Sequence, residues 1–424
     1  MYSTLSLFTG AGGLDLGLHA AGFRTKVAVE CDPVSIETLR FTENRKWWKS
    51  TEICSEAIED VSSERLLEMA NLGVGEARLL VGGPPCQPFS KSGYWHSGDA
   101  QRLDDPRANT LSEYLRVLED SLPEVFLLEN VPGLAFSEKD DGLKLLKSEV
   151  AAINKRQGTN YSLKAAQLNA ASYGVPQTRE RVFVIGHRDG KEFEFPEASH
   201  QLPPRVDMSA GITDMPPRRV VGGLQPWSTA WDALAKIKTP DDPDLHVRGK
   251  WADLLPSIPE GHNYLYHTER GKGVPLFGWR RRYWSMLLKL AKNRPSWTLT
   301  AQPGPAIGPF HWENRRLSSR ELCALQTFPA DYQIVGNCMM SHRQVGNAVP
   351  SALAEVLGRE IRRQFFEETQ VSTIPTLLPQ RQKRTPSVSP VAPVAKKYEH
   401  LIGDYEEHPG TGRGPGASRR ASNQ

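Results

Sequence analysis

Short apolar runs alternate with longer amphipathic segments over the first 190 residues of the 424-residue chain. Strands that alternate with helices predict an α/β fold with a mostly parallel sheet, in which ligands bind beyond the carboxyl ends of the strands. Three amphipathic segments predict helices: Leu14–Ala21, Leu111–Leu118 and Leu143–Lys155. Five apolar runs predict strands: Tyr2–Phe8, Lys26–Glu30, Leu79–Val81, Val125–Leu128 and Arg181–Gly186.

The regular pattern stops over Lys191–Pro309. Prolines and glycines are scattered there, and tryptophans such as Trp227 and Trp297 accumulate without a helix or strand period. Regularity returns with two predicted helices, Ser318–Leu325 and Ser351–Phe366. The irregular stretch therefore indicates a second, smaller domain.

These changes divide the chain into three parts. Residues 1–190, completed by residues 340–369, form the expected larger domain, and residues 191–339 form the smaller one. From Gln370 the chain is rich in Pro, Ser, Gly and Arg, with eight Lys/Arg against four Asp/Glu. Because such a composition buries little apolar surface, we expect residues 370–424 to be a disordered basic tail.

Composition excludes several classes of protein. The chain carries 52 Lys+Arg and 49 Asp+Glu, and a net charge of +3 does not by itself indicate a nucleic-acid binder. Five cysteines without CxxC spacing exclude a disulfide scaffold and a cysteine-rich metal site. The sequence has no apolar run long enough to span a membrane and no secretory leader. We therefore expect a soluble protein of a reducing intracellular compartment, with no metal and no membrane partner.

A glycine-rich segment, Phe8–Gly17, joins the first predicted strand to the first helix. Glycines there let the backbone approach a ligand closely and direct helix N–H groups at it. The segment departs from the dinucleotide fingerprint G-x-G-x-x-G, because Asp15 replaces the last glycine. Glu30, at the end of the next strand, is either a solvated carboxylate or an acceptor for a ribose diol. Together they indicate a nucleoside-containing cofactor that does not require a pyrophosphate.

A stiff loop carries one cysteine beyond the strand Leu79–Val81. In the segment Gly82–Ser90, three prolines flank Cys86, and each proline restricts its own φ and the residue before it. A cysteine within an apolar strand is usually a small buried hydrophobe, whereas one on a rigid loop is better placed as a nucleophile. Because a free thiol has a pKa of about 8.5, that role needs nearby positive charge.

Two further segments place charged side chains at strand ends. Glu129 follows the strand Val125–Leu128 and precedes an Asn and a Pro-Gly turn, so it is either a turn cap or a site acid. Arg179 and Arg181 share one face of an extended segment. They point either into a common site or outward from an edge strand.

Six blocks in fixed order resemble the cytosine-5 DNA methyltransferase family. The resemblance spans residues 8–350, apart from the middle of the chain, and it implies a Rossmann-like fold dependent on S-adenosylmethionine with a smaller target-recognition domain. The blocks are FTGAGGLDLG (Phe8–Gly17), GGPPCQPFS (Gly82–Ser90), ENVPG (Glu129–Gly133), QTRERV (Gln177–Val182), RELCALQTFP (Arg320–Pro329) and QVGNAVP (Gln344–Pro350).

The resemblance implies a covalent mechanism. The Cys86 thiolate would add to C6 of cytosine, so that C5 takes the methyl group of S-adenosylmethionine. Glu129 would hold the N3/N4 edge of the base, and Arg179 and Arg181 would line the pocket, with Arg181 near O2. Because these atoms are inaccessible inside a duplex, the cytosine would be flipped out.

The resemblance also implies a set of cofactor contacts. Phe8 would lie against the adenine, Glu30 would bind the ribose hydroxyls, and Asp60 would contact the adenine amine. The family's usual glycine before that aspartate is Glu59 in this chain. The remaining implied contacts are Gly10, Ala11, Gly12, Gly13, Leu14, Val61, Asn347 and Val349.

Double-stranded DNA is the implied partner, read mainly by the smaller domain. The arginines Arg280, Arg281 and Arg282 stand between aromatic residues, a pattern suited to phosphate contact, guanine readout and stacking. The alternative is an amphipathic helix start with its arginines in solvent. The resemblance adds Gln87 and Ser90 as DNA contacts beside the nucleophile.

Three rival functions share some of these sequence features. A tRNA cytosine-5 methyltransferase would typically carry a Cys-Phe-Thr signature, which is absent here. A catalytically silent DNA-binding relative would usually lack Cys86 or the glycines, and a nicotinamide oxidoreductase is disfavoured by Asp15. The cofactor segment starts at residue 8, a compact plan that resembles bacterial modification enzymes. We therefore expect a cytoplasmic bacterial enzyme that protects host DNA at a short site and is functionally paired with a restriction endonuclease.

Overall fold

The computed structural model describes residues 1–85, 109–134, 141–203, 223–238, 241–269, 271–277, 284–366, 368 and 370–403. Seven strands of these residues form one sheet in the order β3-β2-β1-β4-β5-β7-β6. The strands β1 to β5 pair in parallel, whereas β7 runs antiparallel to both β5 and β6. The α/β prediction is confirmed. The strands are β1 (Tyr2–Leu7), β2 (Phe23–Val29), β3 (Glu52–Cys54), β4 (Leu79–Gly82), β5 (Val125–Asn130), β6 (Lys164–Asn169) and β7 (Glu180–His187).

Helices cover both faces of the sheet. Among the described residues none is long and apolar enough to cross a bilayer. The α-helices are α1 (Gly13–Ala20), α2 (Pro33–Arg40), α3 (Ser63–Ala70), α4 (Asn109–Ser121), α5 (Asp141–Gln157), α6 (Ala230–Leu234), α7 (Ser319–Leu325), α8 (Cys338–Asn347) and α9 (Ser351–Phe365). Short 3-10 helices lie at Thr42–Asn44, Ile58–Asp60, Pro132–Leu134, Ala170–Tyr173, Pro243–Leu245, Ala252–Ser257, Tyr264–His267 and Lys396–Leu401.

The central strands read as continuous apolar runs because both of their faces are buried. Successive side chains alternate between two cores: Leu80 and Phe126 pack toward α3, α4 and α5, whereas Leu79 and Val125 pack toward α1 and α9. All residues of β4 and β5 are buried. The sheet therefore forms the middle layer of three.

Helix α9, the last α-helix of the described residues, packs against α1, the first one. The two backbones approach so closely that a Cβ on Gly17 would lie 2.1 Å from the carbonyl oxygen of Ser351. A Cβ on Gly358 would lie 2.7 Å from the Cβ atom of Ala21. Residues 340–365 thus pack on the sheet domain across the intervening 150 residues.

The described residues of 191–339 contain little regular structure. Their helices are short, and backbone pairing consists of isolated bridges such as His246 with Arg315 and Met286 with Ile307. They nevertheless enclose a separate apolar cluster that includes Leu254 and is completed from outside the segment. The described residues of this segment are therefore irregular in backbone structure but pack around apolar side chains.

The prediction of a disordered tail is wrong for residues 370–403, which we call the C-terminal segment. It lies along both parts of the protein: Thr376 donates to Glu355 of α9, and the backbone N–H of Gln382 donates to Asp232 (2.8 Å). Tyr398 is buried and stacks on Trp251. The composition argument failed because the segment needs no core of its own: its few apolar side chains complete cores that already exist. Residues 404–424 lie outside the described residues.

Candidate active site

A cavity of about 510 Å³ lies at the carboxyl ends of β1, β2, β4 and β5. Parallel strands bring their carboxyl ends to one edge of a sheet, so the loops that follow them meet there. Because β7 runs antiparallel to β5, its amino end, with Arg181, arrives at the same edge. The residues around QVGNAVP, from Arg343 to Val349, close the remaining side.

The β1–α1 connection, residues 8–12, is here called the glycine loop. Phe8, Gly10 and Gly12 have positive φ values of 55°, 56° and 81°. At Gly12 and Gly13 a Cβ would also collide with neighbours, the Trp48 ring and the carbonyl oxygen of Val349, both at 2.5 Å. Positive φ therefore favours glycine at positions 10 and 12, and close packing leaves no room for a side chain at Gly12 or Gly13.

Glu30 forms hydrogen bonds with both the glycine loop and the connection between β2 and α2. One carboxylate oxygen accepts the backbone N–H of Gly10 and the other that of Asp32, each at 2.7 Å. Burial raises the pKa of Glu30, and these hydrogen bonds partly oppose that rise. A carboxylate has about four acceptor positions, so acceptor capacity remains for a ligand such as a ribose diol.

The structure brings most of the predicted cofactor residues to this cavity. Gly12, Asp60 and Val61 do not line it among the described residues. Val61 is instead buried in the core beside α3, and Asp60 is exposed at the end of a 3-10 helix. Those that line the cavity are Phe8, Gly10, Ala11, Gly13, Leu14, Glu30, Asn347 and Val349.

An acid and a cation face each other across the β5–β7 pair. Arg181 Nε lies 2.9 Å from Glu129 Oε1, and both side chains are largely buried. Burial raises the pKa of Glu129, while Arg181 and Arg179 act in the opposite direction. Gly83 allows this arrangement, because a Cβ there would lie 2.9 Å from Glu129 Oε2.

Arg179 does not line the cavity, contrary to the prediction that both arginines point into it. Its fully buried guanidinium donates to the carbonyl oxygens of Leu299 (3.1 Å) and Gly346 (2.7 Å). Because β7 begins only at Glu180, Arg179 lies outside the regular strand, where the rule that i and i+2 share a face does not apply. Arg179 instead connects the irregular stretch around Leu299 to α8.

The start of the cysteine loop lies beside Glu129. Asn130 Nδ2 donates to the carbonyl oxygen of Pro84 (3.3 Å), and Pro85 lines the cavity. Pro85 immediately precedes Cys86. The predicted nucleophile and the predicted DNA contacts all lie outside the described residues: Cys86, Gln87, Ser90, Arg280, Arg281 and Arg282.

Sequence reasoning missed a polar pair on the cavity wall. Arg343 donates to Asp32 (2.7 Å), whose other oxygen accepts the Ser35 backbone N–H and so caps α2. Asp32 stands two residues after Glu30, and Arg343 directly precedes QVGNAVP, so adjacency to both blocks was the available signal. Among the described residues, no group of three or more His, Cys, Asp or Glu is arranged to hold a metal ion.

Fold and site together define an α/β protein with a nucleoside-sized cavity that also holds a buried acid and cation. The model of the C-5 cytosine-specific DNA methylase family matches residues 2–363. The chain therefore belongs to the C-5 cytosine-specific DNA methylase family. It is a DNA cytosine-5 methyltransferase, and its cofactor is S-adenosylmethionine, as the sequence resemblance implied.

Named relatives agree with this membership. The chain is 37% identical over 397 residues to the type II methyltransferase M.SacI of Streptomyces achromogenes, covering 88% of this chain and 96% of that protein. It is 31% identical over 354 residues to the type II methyltransferase M.NgoFVII of Neisseria gonorrhoeae, covering 82% of each.

Solved structures share the fold at low sequence identity. A putative DNA modification methyltransferase from an E. coli prophage superposes with a TM-score of 0.56 at 23% identity, covering 86% of this chain and all of that one. The Dnmt2 methyltransferase of S. pombe gives a TM-score of 0.54 at 16% identity, with 86% and 99% covered. The predicted methyltransferase fold is thereby confirmed.

Proposed function

We propose that this enzyme methylates C5 of a flipped-out cytosine within a short, specific site of duplex DNA, through a covalent bond between Cys86 and C6. The observation that carries the proposal is that one cavity contains both Glu30 with the glycine loop and the Glu129–Arg181 pair, with Pro85 beside them. A methyl donor and a cytosine bound in this one cavity would lie next to each other, as direct methyl transfer requires.

The residues around Glu30 fit S-adenosylmethionine, which supplies an electrophilic methyl group when bound. The remaining acceptor capacity of the Glu30 carboxylate suits the ribose hydroxyls, and Phe8 offers an aromatic face for the adenine. Asn347 and Val349 would close the site from the α8 side. Asp60, exposed at the end of its 3-10 helix, is kept as the proposed partner of the adenine amine, with Val61 fixing its position from the core.

Glu129 is suited to protonate N3 of the cytosine. Burial raises its pKa, which favours the protonated carboxyl, and Arg181 holds the side chain in place. When the Cys86 thiolate adds to C6, electrons move toward N3, which takes the proton, and C5 becomes nucleophilic. After methyl transfer, loss of the C5 proton to a solvent base, expulsion of the thiolate and return of the N3 proton to Glu129 restore the ring.

We further propose that the smaller domain reads the DNA sequence, with Arg280, Arg281 and Arg282 as contacts and Gln87 and Ser90 beside the flipped base. Arg179 would hold this domain against α8 through Leu299 and Gly346. The type II relatives support a role in bacterial restriction-modification, in which a separate endonuclease cuts the unmodified site. Because the host DNA of a bacterium lies in the cytoplasm, we propose that the enzyme acts there.

Expression in a methylation-free bacterial host tests the proposal. Base-resolution mapping of 5-methylcytosine should find methylation confined to one short motif, and Cys86→Ala should abolish it while retaining cofactor binding. Cys338→Ala, a thiol away from the cavity, is the matched control and should methylate normally. Unmodified DNA with methylated tRNA would reject DNA as the substrate, and near-normal turnover by Cys86→Ala would reject the covalent mechanism.

A further inference from the structure

A buried chain of polar side chains connects the first turn of α1 to the glycine loop. Asp15 Oδ1 accepts from Thr25 Oγ1 (2.8 Å), and Oδ2 accepts from Ser6 Oγ (3.1 Å). Ser6 Oγ also lies 3.0 Å from Thr9 Oγ1, within the loop. All four side chains are buried, and neither Asp15 nor Ser6 has a part in the chemistry proposed above.

The carboxylate fixes the direction of these hydrogen bonds. An ionised carboxylate only accepts, so the single hydroxyl hydrogen of Ser6 points to Asp15. Thr9 must then donate to Ser6 Oγ, since its other acceptor, the Ser6 carbonyl oxygen, lies at 3.5 Å. The hydrogen bonds therefore run from Thr9 through Ser6 to Asp15.

Thr9 is the residue that shapes the glycine loop. Its backbone N–H donates to Val29 of β2 (3.1 Å), and its carbonyl oxygen accepts the N–H of Gly12 (2.9 Å). Phe8 and Gly10, on either side, both have positive φ. The Thr9 hydroxyl adds a third constraint between two unusual backbone conformations. A shift of Thr9 would move the Gly10 N–H away from its acceptor.

We propose that Asp15 is a positioning residue for cofactor binding, acting through Ser6 on Thr9 to hold the glycine loop in its binding conformation. The proposal rests on the assignment of this loop to S-adenosylmethionine. Burial raises the pKa of Asp15 to about 6, so the carboxylate is ionised above neutral pH. The accept-only state that orients both hydroxyls is therefore the one present at pH 7.5.

A matched pair of substitutions separates positioning from a structural role. Ser6→Ala and Thr25→Val each remove one hydroxyl that donates to Asp15, but only Ser6 leads on to Thr9. With S-adenosylhomocysteine as the calorimetric probe at pH 7.5, Ser6→Ala should raise the dissociation constant roughly tenfold. Thr25→Val should stay within twofold of wild type. Equal effects of the two variants, or an unchanged constant in Ser6→Ala, would overturn the proposal.

Thr9 supplies a second test, which also serves if Ser6→Ala does not fold. Thr9→Val should weaken binding as much as Ser6→Ala, whereas Thr9→Ser, which keeps the hydroxyl, should bind like wild type. The double variant Ser6→Ala/Thr9→Val should bind no worse than either single variant. Additive losses, or failure of Thr9→Ser to bind like wild type, would overturn the proposal. Failure of the wild type to bind S-adenosylhomocysteine would instead reject the cofactor assignment itself.

Discussion

Replacing Glu30 by Gln tests the cofactor half of the site with little change in side-chain size. In the folded protein each carboxylate oxygen accepts one backbone N–H, from Gly10 and from Asp32, both at 2.7 Å. A glutamine amide has a single oxygen. In Glu30→Gln its NH₂ group would therefore face one of these N–H donors, and the ribose hydroxyls would lose a charged acceptor.

The expected loss follows from these contacts. Hydrogen bonds to charged groups contribute about 1.5–3 kcal/mol each, and a buried donor left unpaired costs a similar amount. Part of this cost is present without ligand, so we expect the dissociation constant of S-adenosylhomocysteine to rise about 10- to 100-fold, or roughly 1.4–2.8 kcal/mol. Titration calorimetry at pH 7.5 measures this directly.

Acidification provides an independent readout. Because burial raises the pKa of Glu30, its carboxylate takes up a proton at a higher pH than an ordinary glutamate as the solution is acidified. Wild-type affinity should therefore fall as the pH is lowered, and Glu30→Gln should lack the part of this fall that comes from Glu30, keeping only the part that comes from Asp15. Glu37→Gln, on the exposed side of α2, is the matched control. A dissociation constant within twofold of wild type in Glu30→Gln would refute the reasoning.

Two further predictions concern stability. Burial raises the pKa of Asp15 from 3.8 to about 6, so the stability associated with its neutral form is complete below pH 3.8 and is lost as the pH rises through 6, by about 3 kcal/mol. In urea unfolding, Asp15→Asn should therefore gain up to about 3 kcal/mol relative to wild type between pH 4 and pH 7.5, and a constant difference would contradict this. Tyr398→Ala should cost about 3 kcal/mol, because a buried aromatic ring is removed, whereas the exposed His400→Ala should cost almost nothing. Equal stabilities of these two variants would mean that the C-terminal segment is not packed in solution.

The sequence predicted the buried strands well and the edge strands poorly. β4 and β5 are apolar on both faces, so their runs were visible without any knowledge of pairing. β6, with the sequence KAAQLN, lies at an edge, is largely accessible and shows no alternation. The antiparallel direction of β7 depends on how it returns beside β5, which no local pattern records.

The site was predictable where a residue directly follows a strand. Glu30 and Glu129 stand at the carboxyl ends of strands or directly after them, and both reach the cavity. Arg179 and Arg181 looked equivalent in the sequence, yet the strand begins between them and only Arg181 faces Glu129. The order of the C-terminal segment was also missed, because mean composition does not show that Tyr398 fits a gap beside Trp251.

The C-terminal segment has a consequence for engineering new sequence specificity. It contributes to the packing of residues 191–339: the Ser389 backbone N–H donates to Glu260 (2.8 Å), and the Tyr398 hydroxyl donates to the carbonyl oxygen of Lys250 (2.7 Å). If residues 191–339 were replaced by those of a relative, the partners Glu260 and Lys250 would be exchanged, while Ser389 and Tyr398 of the C-terminal segment would stay the same. Chimaeras that carry the matching C-terminal segment with the transplanted domain should therefore fold better than those that exchange the domain alone.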